Sequence, residues 1–135
     1  MTPSIIYSDA ILKMAGRYGE KRTIDVKGIA HITGGGITSK LGRVLRASGL
    51  GADLTEIWPP HDALRDIIAL GSVETEEAYR TWNMGNGMMI ILKKIHADEA
   101  LEILNISGIE AKLSGTVSKQ RGIRFLAFDG AKLTF

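Results

Sequence analysis

Cysteine is absent from the 135-residue chain, which excludes a disulfide framework, a thiolate nucleophile and a cysteine-held zinc ion. Long apolar runs are missing too. The longest, Met88 to Leu92, falls far short of the roughly 20 residues that span a bilayer, so no membrane partner is expected. Nor does one sign of charge dominate: 17 Lys and Arg stand against 15 Asp and Glu. The basic residues are scattered, with short clusters only at Lys21-Arg22 and Lys93-Lys94, and aromatic residues do not interleave with them. That pattern gives no support to nucleic-acid binding, and no nucleic-acid partner is expected. Internal repeats and low-complexity tracts are lacking as well. The opening "MTPSIIYSDAI" has neither the basic start nor the long apolar core of a signal peptide, and a cytoplasmic location is the expectation. Among the three histidines no two share a metal-ligand spacing, and no Ser-His-Asp set can be assigned.

What is present is an ordinary soluble composition, 44% apolar and 24% charged, in a length that predicts one domain read as a single compact unit. Helical spacing of Tyr7, Ile11, Met14, Ala15 and Tyr18 predicts a first helix from Ser8 to about Arg17. A strand is predicted over Ile24 to Thr33, with Val26, Gly28, Ala30 and Ile32 on one side and Lys27, Ile29, His31 and Thr33 on the other. A short helix over Leu41 to Ala47 and a strand over Leu54 to Ile57, stopped by Pro59-Pro60, come next. His61 to Leu70 reads as an amphipathic helix burying Ala63, Leu64, Ile67 and Ile68, with Gly71 as a left-handed cap. Thr75 caps a shorter helix to about Arg80. Met88 to Leu92 is a covered strand, Ala97 to Asn105 a helix, and Ile109 to Leu113 and Ile123 to Phe128 are strands. These elements make a mixed sheet with helices on both faces, an α/β or α+β sandwich.

Two stretches combine several glycines with polar groups: "GIAHITGGGITSKLGRVL", residues 28–45, and "AYRTWNMGNGMMI", residues 78–90. Three consecutive glycines cost conformational entropy on ordering, so the chain gains something there. One reading is a concave nest in which the N–H groups of Gly34, Gly35 and Gly36, with a helix N-terminus from about Ser39 to Val44, hold a phosphate. Thr33 and Thr38 then offer hydroxyls, and Lys40 and Arg43 charge. The other reading is a tight strand-to-helix turn with no ligand. The spacing fits neither the nucleoside-triphosphate loop nor the dinucleotide fingerprint. In the second stretch Arg80 can grip a phosphate or carboxylate through two parallel hydrogen bonds. Asn83 and Asn86 can read polar edges or cap the turn. Alternatively Arg80 forms a surface ion pair with Glu76 or Glu77, and the glycines relieve backbone strain. His31, on the strand entering the glycines, is either a base or donor or a structurally satisfied residue.

Taken in order and spacing, "PSIIY", "AHITGGG", "RVL" and "EEAYRTWNMGNGM" resemble the C-terminal half of aminoimidazole ribonucleotide (AIR) synthetase, the phosphoribosylformylglycinamidine cyclo-ligase of purine synthesis. The resemblance covers essentially the whole chain, residues 1–135, and its two glycine blocks are specific in combination. Formylglycinamidine ribonucleotide synthetase, selenophosphate synthetase, thiamine-phosphate kinase and the hydrogenase-maturation dehydratase belong to the same superfamily, but the second block favours the cyclo-ligase. The chain departs from the family pattern at Ile5, where a basic residue is common, and at Asn86, where a small apolar residue is usual. It also has Trp82 for phenylalanine, and lacks the proline that often precedes Arg43.

The resemblance implies an α+β fold of α/β/α layers, a mixed sheet between helical layers, partly ferredoxin-like. It implies a reaction in which ATP phosphorylates the amide oxygen of formylglycinamidine ribonucleotide, an internal nitrogen closes the imidazole ring, and phosphate departs. The ATP and Mg ligands are expected mostly from an N-terminal half absent from this chain. By motif match, His31 orients substrate or moves a proton as the catalytic residue. Thr33, Gly34, Gly35 and Gly36 on one side, and Arg80, Asn83, Gly85 and Gly87 on the other, bind substrate or phosphate. No metal ligand is expected from this chain. The expected partners are formylglycinamidine ribonucleotide, ATP, a separate N-terminal-half protein, and a second copy of the chain in a homo-oligomer; alone, the chain is expected to be inactive. The alternative is a non-catalytic module that binds a phosphorylated metabolite or a protein, or part of a related ATP-dependent superfamily member. An apolar patch beside the glycines would favour the partnered domain, and a polar surface there the stand-alone module.

Overall fold

In a computed structural model, residues 4–17, 19 and 21–135 are described. The elements are α1 (Ser8–Ala15), β1 (Val26–His31), α2 (Gly36–Arg46), β2 (Gly51–Leu54), α3 (Asp62–Leu70), α4 (Thr75–Thr81), β3 (Met88–Leu92), a 3-10 turn (Lys94–His96), α5 (Ala97–Ile106), β4 (Gly115–Ser118), β5 (Gly122–Leu126) and β6 (Lys132–Thr134). The class is mixed α+β. β1 pairs with β3, and the remaining strands form a four-stranded sheet in the order β4-β2-β5-β6. The chain divides into two compact units, one drawn from residues 1–28 and 90–113, the other from 29–89 and 114–135. Among the described residues no helix is long and apolar enough to cross a membrane.

In the first unit α1 lies against α5, and Ala10 and Met14 join Ala100, Leu104, Ile24 and Ile109 in one core. α1 stops at Gly16, two residues before Tyr18, which lies outside the described residues. The Thr23 hydroxyl meets the carbonyls of Lys13 and Met14 at 2.8 Å, satisfying acceptors that the helix end leaves open. Ile109 to Leu113 alternates like a strand but joins no sheet. Ile109 is buried in this core with its N–H on the Leu104 carbonyl, so it closes α5 instead.

In the second unit β2 runs parallel to β5 and antiparallel to β4, and β5 runs antiparallel to β6. The two-residue period sends Ala52, Leu54, Ile123, Phe125 and Leu133 into the core. The opposite face carries the aligned row Thr116, Asp53, Arg124 and Thr134. Arg124 Nε donates to Asp53 Oδ1 at 2.5 Å across neighbouring strands. α2 buries Ile37, Leu41 and Leu45 and adjoins β2 and β5. α4 buries Ala78 and Tyr79, whose ring lies 4.9 Å from that of Phe125.

Several boundaries differ from the sequence expectation. The second strand is Gly51–Leu54, not Leu54 to Ile57, because the N–H groups of Thr55 and Glu56 both turn to the Ser114 carbonyl. α2 begins at the third glycine, earlier than Leu41. Gly71 is right-handed (φ −84°), and the left-handed residue is Ser72 (φ +46°). Of the apolar side of α3, Ile68 is buried and Leu64 half-buried, while Ile67 is 54% exposed and Ala63 is exposed.

Candidate functional site

Every sequence-predicted site residue falls within the second unit, and backbone hydrogen bonds tie the two motif segments together. β1 delivers His31 to the start of the glycine turn. Its alternation holds, with Ala30 and Ile32 buried and Ile29, His31 and Thr33 exposed on the other side. The strand leaves its sheet with Ile32 N–H on the Gly87 carbonyl, already in contact with the second motif. The chain then turns through the glycines, and Gly35, left-handed at φ +91°, precedes the first residue of α2.

The three glycines do three different things. Gly36 N–H donates to the Thr33 carbonyl and closes the turn, while Gly35 N–H donates to Thr81 at the end of α4. Gly36 is buried at φ +59°, and a Cβ there would lie 2.2 Å from the Tyr79 carbonyl oxygen and 2.8 Å from that of Trp82. Only hydrogen at that Cα lets the last turn of α4 approach. Around Gly34 nothing lies within 4 Å of a Cβ position, and the residue is exposed. The nest of three outward-pointing amides is therefore not what forms. Two of the donors are engaged inside the protein, and Ile37 at the next position is fully buried. The open part of the first segment is His31, Thr33 and Gly34.

The second segment is as closely built. Asn83 accepts the Asn86 N–H on its carbonyl and the Gly85 N–H on its Oδ1, across a turn whose central residues, Met84 and Gly85, both have positive φ. Met84 is fully buried in that left-handed conformation, which only firm surroundings maintain in a residue with a side chain. Gly85 faces the Pro59 carbonyl so closely that a Cβ would lie 2.2 Å from its oxygen. Asn83 remains exposed, and Gly85 and Gly87 are half-buried.

Arg80, the expected anion grip, is on α4 with its Nη2 and Nε donating to Glu76 Oε1 at 2.6 and 3.2 Å. Its guanidinium lies 4.7 Å from the Phe135 ring centroid. Both ion-pair partners are about half exposed, a setting in which such pairs contribute little and give way readily to a better anion. The chemistry at hand is thus an exposed imidazole, a hydroxyl, an open glycine, a carboxamide and one guanidinium. Among the described residues no three His, Asp or Glu side chains group to hold a metal ion.

The surface ion pair of Arg80 with Glu76, one of the two readings of the sequence, is the one that forms. One neighbour of Arg80 is not legible in the sequence. Phe135 carries no motif signal, and its ring sits under Arg80 because Phe135 pairs with Ile123 through two backbone hydrogen bonds.

Solved structures place this architecture among known folds. The chain superposes on E. coli HypE, a hydrogenase maturation protein, with a TM-score of 0.69 at 24% identity, covering 97% of this chain and 39% of that one. A HypE structure in complex with ATP gives a TM-score of 0.68 at 17% identity, covering 93% of this chain and 38% of that one. The likeness is one of fold, and this chain corresponds to about two-fifths of each of those proteins. The family follows from sequence: the model described as "AIR synthase related protein, C-terminal domain" matches residues 3–127, and the chain belongs to that family. Phosphoribosylformylglycinamidine cyclo-ligase of Thermoanaerobacter sp. (strain X514) is 35% identical over 122 residues, 90% of this chain and 34% of the relative. That of Myxococcus xanthus is 36% identical over 123 residues, again 90% of this chain and 34% of the relative. The chain spans about a third of the length of these curated relatives.

Proposed function

We propose that this chain acts as the C-terminal domain, or as a separately made C-terminal subunit, of a phosphoribosylformylglycinamidine cyclo-ligase. In this reading residues 1–135 are one domain of that enzyme and form one wall of its cleft. A polypeptide corresponding to the remaining two-thirds of the relatives supplies the rest. The observation that carries the reading is the joining of the two motifs, Gly35 N–H on Thr81 and Ile32 N–H on Gly87, which makes one surface of residues far apart in sequence.

Exposure divides the roles. His31, Thr33, Gly34, Arg80 and Asn83 face the substrate, formylglycinamidine ribonucleotide, while Gly35, Gly36, Gly85 and Gly87 shape the backbone beneath them. Arg80 leaves Glu76 for the phosphate of the ribonucleotide. His31 orients the substrate or moves a proton during ring closure. ATP is the phosphoryl donor, a role supported by the related fold that was solved with ATP.

Mixing the chain with a matching N-terminal half and assaying ATP-dependent formation of aminoimidazole ribonucleotide tests the reading. Activity in the mixture, and in neither part alone, is expected. Inactivity together with no complex on a sizing column overturns the subunit reading. One observation favours the second reading, a stand-alone module that binds a phosphorylated metabolite. The exposed residues at the turn are polar apart from Ile29, 37% exposed, where a partnered face would be more apolar. Ribonucleotide binding by the chain alone, without complex formation, is the outcome that would select it.

A further inference from the structure

Asn86 is the one buried polar residue among the described residues, at 3% exposure. All the hydrogen-bonding it is given goes to backbone. Its Nδ2 donates to the carbonyls of Trp58 at 3.0 Å and Met84 at 2.8 Å, and its Oδ1 accepts the Trp58 N–H at 2.9 Å. The carboxamide thus stands in for a strand of backbone: it takes both polar groups of Trp58, as a neighbouring strand would, and also ties down its own turn. The residues it joins are those where the wall is most strained. Met84 is left-handed and buried, and Gly85 is pressed against Pro59, the residue after Trp58.

We infer that Asn86 is a positioning residue. Its side chain holds the segment Asn83–Gly87 in the one conformation whose backbone, shaped by Gly85 and Gly87, presents Asn83 as part of a preformed ligand wall. The inference rests on the reading above, that this wall meets a phosphorylated ribonucleotide. A preformed wall binds without the entropy cost of ordering its loop, so loosening it weakens affinity although Asn86 touches no ligand.

The test uses the full chain in three forms besides wild type: Asn86→Ala, Asn86→Ser, which puts a single hydroxyl in place of the carboxamide and serves if the alanine variant does not fold, and Leu133→Ala. The last is a core change in β6 of comparable destabilisation that leaves the turn untouched. Calorimetry with formylglycinamidine ribonucleotide, well below every melting temperature, should show at least a tenfold affinity loss in Asn86→Ala, a smaller loss in Asn86→Ser, and less than twofold in Leu133→Ala. Amide NMR should show the Trp58, Gly85 and Asn86-position N–H signals shifted and faster-exchanging in the Asn86 variants alone. Unchanged affinity in Asn86→Ala, or an equal loss in Leu133→Ala, overturns the inference. If the wild-type chain alone binds no ribonucleotide, the stand-alone reading fails, and the NMR arm still decides the positioning. Unshifted Gly85 and position-86 amides then overturn it, and shifts confined to Trp58 and the turn uphold it.

Discussion

The Cα of Gly36 lies so near Tyr79 that a methyl group there would come within 2.2 Å of the Tyr79 carbonyl oxygen. Because that oxygen belongs to the backbone of α4, no side-chain adjustment relieves the clash, and the φ of +59° adds strain for any residue with a Cβ. Gly36→Ala is expected to destabilise by at least about 3 kcal/mol, or to prevent folding. Gly34→Ala, at an open position, should change stability by less than about 1 kcal/mol while reducing ribonucleotide affinity. Urea unfolding of both variants checks the contrast. Equal stabilities would mean that the two glycines do not differ in role as their surroundings imply.

Arg80 is held on the surface by Glu76, and its removal should leave the fold standing. Arg80→Ala is expected to cost less than about 1 kcal/mol in stability and to weaken ribonucleotide binding. Glu76→Gln frees the guanidinium from its competitor and should tighten binding a few-fold at low salt. Calorimetry at two ionic strengths reads both effects. Weaker binding in Glu76→Gln would show that the carboxylate orients Arg80 for the ligand rather than competing with it.

Asp129 accepts the Thr75 hydroxyl at 2.5 Å and the Ala131 N–H at 3.0 Å. The bond from Thr75 is the larger cause that holds its carboxyl below the usual carboxylate range. Its pKa is thus lower folded than unfolded, so its contribution is complete above the unfolded value of about 4 and is lost as pH falls through the folded one. Asp53, lowered chiefly by the hydrogen bond from Arg124, behaves alike. Stability measured in urea should fall below about pH 4, and Asp129→Asn should flatten that fall. An unchanged acid limb in the variant would remove Asp129 from the account.

Two neighbours on α3 should respond in opposite ways. Ile68 is 7% exposed and Leu70 is 88% exposed. Ile68→Ala is expected to cost about 2–4 kcal/mol, whereas Leu70→Ser should stay within about 0.5 kcal/mol. Thermal melts of the pair test which way the helix is turned.

Strong periodicity or a continuous apolar run made α1, α3, α5 and β3 legible as elements, although α3 buries only Ile68 of its apolar side and β3 only Met89. The alternation of β1 was readable for the same reason, and it placed His31 and Thr33 on the exposed side. β2 and β4 were not readable because their defining residues are small. A Cβ at Gly51 would come 2.2 Å from the Gln120 carbonyl in the turn before β5, and one at Gly115 would come 2.1 Å from the Asp53 carbonyl of β2, and such closeness leaves no hydrophobic pattern. Ile109 to Leu113 shows the reverse: alternation without a partner is not a strand. At the site, residue types pointed to the right segments, but not to which amides were spent internally. That depended on the arrival of α4 at the glycine turn, a tertiary fact. Asn86 was legible as a residue able to cap its turn, which it does through the Met84 carbonyl, but its bonds to Trp58 depend on a segment far away in sequence.

The four-stranded sheet also fixes an order of events. Both partners of β2 come from the far end of the chain, Gly51 pairing with Ser118 on one side and with Gly122 on the other. A ribosome adding about 5–20 residues per second therefore leaves β2 unpaired for several seconds, with Ala52 and Leu54 uncovered, until the last strands emerge. The helical parts of the second unit are made early, but its sheet closes only once residues 115–134 have been made. Loss of residues 122–135 would strip β2 of its parallel neighbour and leave a strand edge open to other chains.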